Sequence, residues 1–307
     1  MILLHQMLIF FIIMGVGLLC QKIHILDDNS ISHVTKLVVN VANPCMIVSS
    51  VVATIDGPIN ASTGKTLLES IVIAFAIYAV MILISFPLNK ILGVKKDESA
   101  IYTLMLIFSN TGFMGLPVLK AAYGDHAVLI GAFFLFPFNI LMYTYGVSLV
   151  NKESTGENPL KKMINPGTVA VVIALILLLL GAKVPAVITD SLTAIGDLTA
   201  PLSMLVIGYS FSKIKLKELF TDVKLDIFLL IKLIFLPILG VLIFRAIGVK
   251  GMMLDVAYIM LAMPVASMVG MFAEEYNNHA ELATKGIALS TLLSVATIPL
   301  VEIIMGI

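Results

Sequence analysis

Tryptophan is absent from this 307-residue chain, cysteine occurs twice, and charged side chains make up only 12% of it. A soluble domain carries about 25% charged residues, so an ordinary water-facing surface is excluded. The 19 basic and 19 acidic side chains cancel to a formal net charge of zero, with no block of one sign, which removes the basic footprint of a nucleic-acid binder. Cys20 and Cys45 both lie in apolar runs, where a small hydrophobe is the simplest reading and neither a disulfide framework nor a metal cluster is indicated. An intramembrane enzyme would need a nucleophile with a base, or clustered metal ligands. The chain has no H-E-x-x-H, no G-x-S-x-G and no grouped histidines, so neither an enzyme nor a bound cofactor or metal is expected.

What the chain has in quantity is apolar sequence: 60% hydrophobic residues and a mean hydropathy of +1.08. A membrane-crossing helix needs about 20 apolar residues. Ten runs qualify or come close: Ile2 to Cys20, Val34 to Ala53, Leu67 to Leu92, Ala100 to Tyr123 and Ala127 to Val150, then Pro166 to Gly181, Pro185 to Phe211, Leu225 to Ile247, Met252 to Ala273 and Leu282 to Ile304. They are too long for strands and lack the alternation of a membrane barrel. The predicted fold class is therefore an all-α integral membrane protein of ten spans. The first run has no positive leader and no A-x-A site, so it reads as a retained span.

The longest polar break, Asn151 to Asn158, divides the spans into two sets of five, predicting domains at 1–150 and 151–307. Lysine placement sets the orientation. With the N-terminus outside, the outer loops hold Lys65, Lys120, Lys183, Arg245 and Lys250, Lys232 lies within a span, and the other thirteen of the 19 basic residues fall inside. Both termini then face outward, and the second set of five enters the membrane inverted relative to the first. Unusual residues recur at a similar offset. Asn40-x-x-x-Pro44 is matched by Asp197-x-x-x-Pro201, Gly93-Val-Lys95 by Gly248-Val-Lys250, and Tyr123-x-x-His126-Ala127 by Tyr276-x-x-His279-Ala280. These matches predict an inverted repeat.

Helix breakers at depth survive only beside a cavity or buried in protein, because lipid satisfies no backbone group. The fourth span carries Ser109-Asn-Thr-Gly-Phe-Met-Gly-Leu-Pro117, and the ninth carries Ala262-Met-Pro-Val-Ala-Ser-Met-Val-Gly270. Pro117 cannot donate to the carbonyl of Phe113, nor Pro264 to that of Met260, so both spans are expected to be interrupted with free polar backbone. Interrupted segments at corresponding places in two halves point to a transporter's binding site, here with Asn110, Thr111 and Ser267. Pro44 and Pro201 similarly free the carbonyls of Asn40 and Asp197. Asn40, Asn43 and Asp197 are polar residues near mid-span. Asp197 has three open readings: a proton carrier, a cation ligand, or a satisfied partner of Asn40 or a backbone amide. Lys232 has two: its ammonium snorkels to the inner face, or it meets an anionic substrate.

Three stretches resemble a known family: Asn110-Thr-Gly-Phe-Met-Gly-Leu-Pro-Val118, Met263-Pro-Val-Ala-Ser-Met-Val-Gly-Met-Phe-Ala-Glu-Glu-Tyr276 and Leu289-Ser-Thr-Leu-Leu-Ser-Val-Ala-Thr-Ile-Pro-Leu300. Over its whole length the chain resembles the auxin efflux carrier family, which includes plant PIN proteins and bacterial permeases for malate or malonate. The long central loop of many plant members is absent. The resemblance implies a fold like that of bile-acid symporters and sodium/proton antiporters, with the fourth and ninth helices unwound and crossing at the bilayer midplane. It implies a scaffold of spans one, two, six and seven that forms a homodimer, and a moving domain of spans three to five and eight to ten. Carried over, the substrate-binding residues are Asn110, Thr111, Gly112, Pro117, Met263, Pro264, Val265 and Ser267 at the crossover, with Asn40 and Asn43 facing them and Asp197 as a coupling candidate. The expected activity is secondary transport of a small organic anion by alternating access in the cell membrane. The alternative is a sodium- or proton-coupled exchanger or symporter of the same fold using Asp197.

Overall fold

Polar residues between the apolar runs end the helices where side chains and glycines can replace lost backbone partners. In a computed structural model, which describes residues 2–53, 61–151, 165–212 and 222–307, the described elements are helical, with one isolated antiparallel bridge between Ser109 and Val265. In chain order the helices are α1 (Ile2–Lys22), α2 (Asp28–Val52), α3 (Ala61–Ile91), α4 (Ser99–Ile107), α5 (Leu116–Tyr123) and α6 (Asp125–Val150). They continue as α7 (Pro166–Leu180), α8 (Ala186–Phe211), α9 (Val223–Ala246), α10 (Met252–Ala262), α11 (Ser267–Glu275) and α12 (Ala280–Met305). Seven of these, α1, α2, α3, α6, α8, α9 and α12, are long and apolar enough to cross a membrane, and α7 and α10 are shorter apolar helices. Large apolar side chains point outward along them, including Ile12 at 67%, Leu83 at 69% and Val187 at 77% exposure. Water would oppose such a surface and acyl chains accept it, so the chain is an integral, multi-pass membrane protein. The polar stretch Asn151 to Asn158 used to divide the two halves lies outside the described residues after Asn151.

Three helices start on a short polar side chain that accepts first-turn amides left without carbonyl partners. The Asp27 carboxylate accepts the Ser30 N–H at 2.7 Å, Asn165 accepts that of Thr168 at 3.0 Å, and Asp222 accepts those of Lys224 and Leu225. Helix ends use glycine. Gly93 and Gly248, which the sequence matched across the two halves, have φ of +60° and +88°. In both places the next valine donates back to a carbonyl at 2.9 Å, Val94 to Asn89 and Val249 to Phe244. The same left-handed cap therefore closes a helix just before each interrupted span.

Three of the prolines inside spans follow widened π-type turns. Such turns occupy Val38–Ala42, Thr111–Gly115 and Ile231–Phe235, and Pro44, Pro117 and Pro237 each follow two residues later. Asn43 donates to Val38, and Leu236 to Ile231. Widening the turn keeps donors employed where proline lacks one and relieves its ring clash.

The chain divides into two compact units. One comprises Met1–Val72, Gly112–Phe136 and Ile164–Lys213. Its helices touch backbone to backbone: a Cβ on Gly17 of α1 would collide with the Leu205 carbonyl of α8, and one on Gly208 with the Met14 carbonyl. A Cβ on Gly196 would lie 2.7 Å from Met46 Cα of α2. Small residues at helix contacts are how membrane helices gain dispersion energy where no hydrophobic drive separates protein from lipid.

The second unit comprises Ile73–Thr111, Pro137–Met163 and Ile214–Ile307. Aromatic edges fill its core, with Tyr102 against Phe228 at 5.0 Å and Phe108 against Phe138 at 5.5 Å between ring centres. Polar groups there are paired across helices. The Asn89 amide donates to the Ser99 carbonyl, the Ser99 hydroxyl and the Thr103 hydroxyl, and the Tyr258 hydroxyl donates to the Ile298 carbonyl.

Candidate functional site

Both interrupted spans break as the sequence predicted, and the two breaks pair with each other inside the second unit. After α4 the chain turns extended at Phe108, with φ −100° and ψ 105°. After α10 it does so at Met263, with φ −60° and ψ 144°, and remains extended at Ala266. These pieces run antiparallel with Ser109 opposite Val265. The Asn110 amide donates to the Pro264 carbonyl at 2.7 Å, and the Ala266 amide to the Phe108 carbonyl at 2.9 Å. The Val265 amide, which faces away from this ladder, donates to the Ser290 hydroxyl of α12 at 3.0 Å. Proline fits at 264 because the ladder uses its carbonyl and asks nothing of its missing N–H.

This arrangement corrects where the fourth-span interruption falls. It lies at Phe108–Asn110, while Pro117 sits in the first turn of α5, where a missing donor costs nothing. The backbone at the crossing is also less bare than the sequence implied, since the amides of Asn110, Val265 and Ala266 are all engaged. Unused hydrogen-bonding capacity instead resides in side chains. Asn110 and Thr111 are 3% and 2% exposed, and Asn110 Nδ2 and Thr111 Oγ1 have no partner. Buried polar atoms without partners are uncommon and costly, which makes these two, neighbours in sequence, candidates for contact with a ligand or water. Met263, Pro264 and Val265 are buried, and Ser267 is half-buried at the start of α11, which has no side-chain cap.

Of the two readings of Lys232, snorkelling does not fit its burial. The π-turn at Ile231–Phe235 carries it inward, and its side chain is 2% exposed. Its ammonium donates to the Leu106 carbonyl at 3.1 Å and to the Ser109 hydroxyl at 3.0 Å. The one signal in the sequence was a single basic residue inside a span. Ser290, which holds the ninth-span break, lay within the tenth-span motif that carries the resemblance but was not singled out as a site residue.

The remaining candidates lie in the first unit. Gly112 adjoins Asn43, whose Nδ2 would be 3.6 Å from a Cβ at that glycine. Asn43 is half-buried, its Oδ1 has no partner, and Asn40 is exposed. Asp197 sits at the step between Ala186–Gly196 and Thr199–Phe211 within α8. Its carboxylate is 2.8 Å from the Lys120 ammonium, which also lies 3.9 Å from Asp125. Of the three readings the sequence left open, the structure adds to the third a partner it had not considered, a lysine of α5.

The model of the family described as "Membrane transport protein" matches residues 2–301. The chain belongs to this family. It is the auxin efflux carrier family that the motifs of the fourth, ninth and tenth spans resemble. Similar proteins include the uncharacterized transporter MJ1031 of Methanocaldococcus jannaschii, 26% identical over 98% of both chains. The uncharacterized transporter YfdV of Escherichia coli K12 is 25% identical over 94% of this chain and 93% of its own. An uncharacterized transporter of Methanothermobacter thermautotrophicus is 23% identical over 94% of each. In a membrane transport protein, paired interruptions with unpartnered buried side chains are where a solute is expected to bind.

Proposed function

We propose that this protein is a secondary transporter of a small organic anion, a carboxylate such as malate, malonate or an auxin-like acid, moved by alternating access. The observation that carries the reading is the pair of buried, partnerless groups, Asn110 Nδ2 and Thr111 Oγ1, next to the paired breaks. A carboxylate supplies acceptors for the amide and the hydroxyl. The half-helix α11 begins at the ninth-span break, and helix starts favour negative charge. The single arginine, Arg245, lies in the last turn of α9, so an arginine clamp is not part of the reading.

In the same proposal the ten segments form two inverted five-helix repeats, 1–150 and 151–307, with the fourth and ninth crossing at mid-bilayer. The matched caps at Gly93 and Gly248 support common ancestry of the halves. Both termini face outward in the cell membrane, spans one, two, six and seven form the contact of a homodimer, and the remaining spans move past them in an elevator-like stroke. A second reading adds ion coupling through Asp197. Its favouring observation is the ion pair with Lys120, which a proton or sodium ion could compete for during the cycle.

A thermal-shift and binding screen of dicarboxylates, aromatic acids and amino acids on the purified protein tests the proposal. A ligand at 100 times its Kd stabilises the folded state by about 2.7 kcal/mol. Stabilisation by one class of carboxylate is the expected result, and a screen in which no acid outperforms its neutral amide overturns it.

A further inference from the structure

A buried ammonium is costly unless it is paired or put to use. In this chain one has been placed at the fourth-span break rather than excluded. Lys232 projects from the π-turn of α9 and reaches Leu106 and Ser109. Leu106 is among the last residues of α4, so its carbonyl belongs to the unsatisfied, partially negative end of a half-helix. An ammonium has three donors, and two are engaged. Among the described residues no carboxylate forms an ion pair with it. Ser109, its second partner, immediately precedes Asn110 and Thr111, whose side chains hold the partnerless atoms.

We infer that Lys232 is a specificity-determining residue: its ammonium is the fixed positive charge that makes the Asn110–Thr111 site select anions over neutral solutes. The inference rests on the organic-anion reading above and deepens it, assigning the charge of recognition to α9 instead of to helix ends alone. Neutral side chains at 110 and 111 give the ligand its orientation, and the lysine gives it a sign. Holding the ammonium on a carbonyl and a hydroxyl leaves its charge uncancelled, whereas an aspartate partner would have neutralised it. In a low-dielectric setting such a charge acts strongly over several ångströms.

A purely structural lysine would cap α4 and nothing more, so the test compares charged and uncharged ligands of one shape. Wild type, Lys232→Gln and Lys232→Arg are purified, and binding is measured for malonate and malonamide and for indole-3-acetate and its amide. The expected result is that folded Lys232→Gln loses at least tenfold in affinity for the acid that wild type binds, while affinity for the matching amide is unchanged or improved. Equal losses for acid and amide, or no loss for either, overturn the assignment of Lys232 and leave the anion reading standing. If wild type itself prefers neither acid over its amide, the anion reading fails and this inference with it. Should Lys232→Gln not fold, Lys232→Arg decides. A shifted cation should change acid affinity severalfold without changing amide affinity, and parallel behaviour of the two ligands overturns the inference.

Discussion

The amide of Asn110 donates to the carbonyl of Pro264 over 2.7 Å, joining two membrane segments that each abandon helical bonding at the same place. Bonds lost at one break are made good by the other. This pairing fixes the backbone and leaves the Asn110 and Thr111 side chains free of it.

Because Asn110 Nδ2 has no internal partner, Asn110→Ala removes no hydrogen bond from that nitrogen. Its effect on stability should stay within about 1 kcal/mol, while uptake into liposomes of the acid identified by the screen falls at least tenfold. Wild-type uptake by a folded Asn110→Ala protein removes this residue from the binding site.

Ser290→Ala acts differently. It strands the buried Val265 amide, and an unsatisfied buried donor costs about 1–3 kcal/mol. A clear drop in melting temperature is expected, with Ser290→Thr, which keeps the accepting hydroxyl, recovering most of the loss.

In the first unit, Gly208→Ala forces a methyl group into the Met14 carbonyl. Overpacking of this kind costs about 1–3 kcal/mol, more if α1 must move bodily. Gly15 of α1 has no neighbour within 4 Å of an added Cβ, so Gly15→Ala should be neutral or slightly stabilising. Equal melting temperatures for the two variants would contradict the close α1–α8 contact.

The Asp197 side chain is 58% exposed, and exposed ion pairs contribute about 0–1 kcal/mol. Asp197→Asn should therefore fold normally. If this acid carries the coupling charge, flux through the variant in liposomes loses its response to an imposed pH or sodium gradient; an undiminished response would exclude it from coupling.

At the start of α2, hydrogen bonds from the Ser30 hydroxyl and then the Ser30 amide to the Asp27 carboxylate hold its pKa below the ordinary value of 3.8. A folded-state pKa below the unfolded one means this cap contributes fully above pH 3.8 and is lost as pH falls through the lower folded value. Amide exchange at Ser30 and Ile31 should accelerate across that acidic window in wild type. In Asp27→Ala it should be fast at neutral pH as well.

Much of the site was legible because its signals are local. Asn110, Thr111, Pro264 and Ser267 stood out as breakers and polar groups in segments that otherwise had to be apolar. Lys232 was visible but left with two readings, since a π-turn alters which way a side chain leaves the helix and the sequence did not reveal that turn. Asp197 was visible too, but its partner Lys120 is 77 positions away and counted only as a loop charge. Ser290 was part of a motif but was not picked out as a site residue, because a hydroxyl inside a membrane helix usually bonds to its own preceding turn and here does so as well, to Ile287.

The sequence by itself determined that this is a helical membrane protein and which two spans could not run straight. Those properties follow from hydrophobic length and proline, each acting within a few residues. Only the tertiary structure decided that the two interruptions close on each other, and that Lys232 meets Ser109 across 123 positions of chain. Such pairings depend on how helices pack. Within lipid an unpaired backbone group has no water to turn to, so the folded chain supplies the partner itself, from residues that nothing local in the sequence connects.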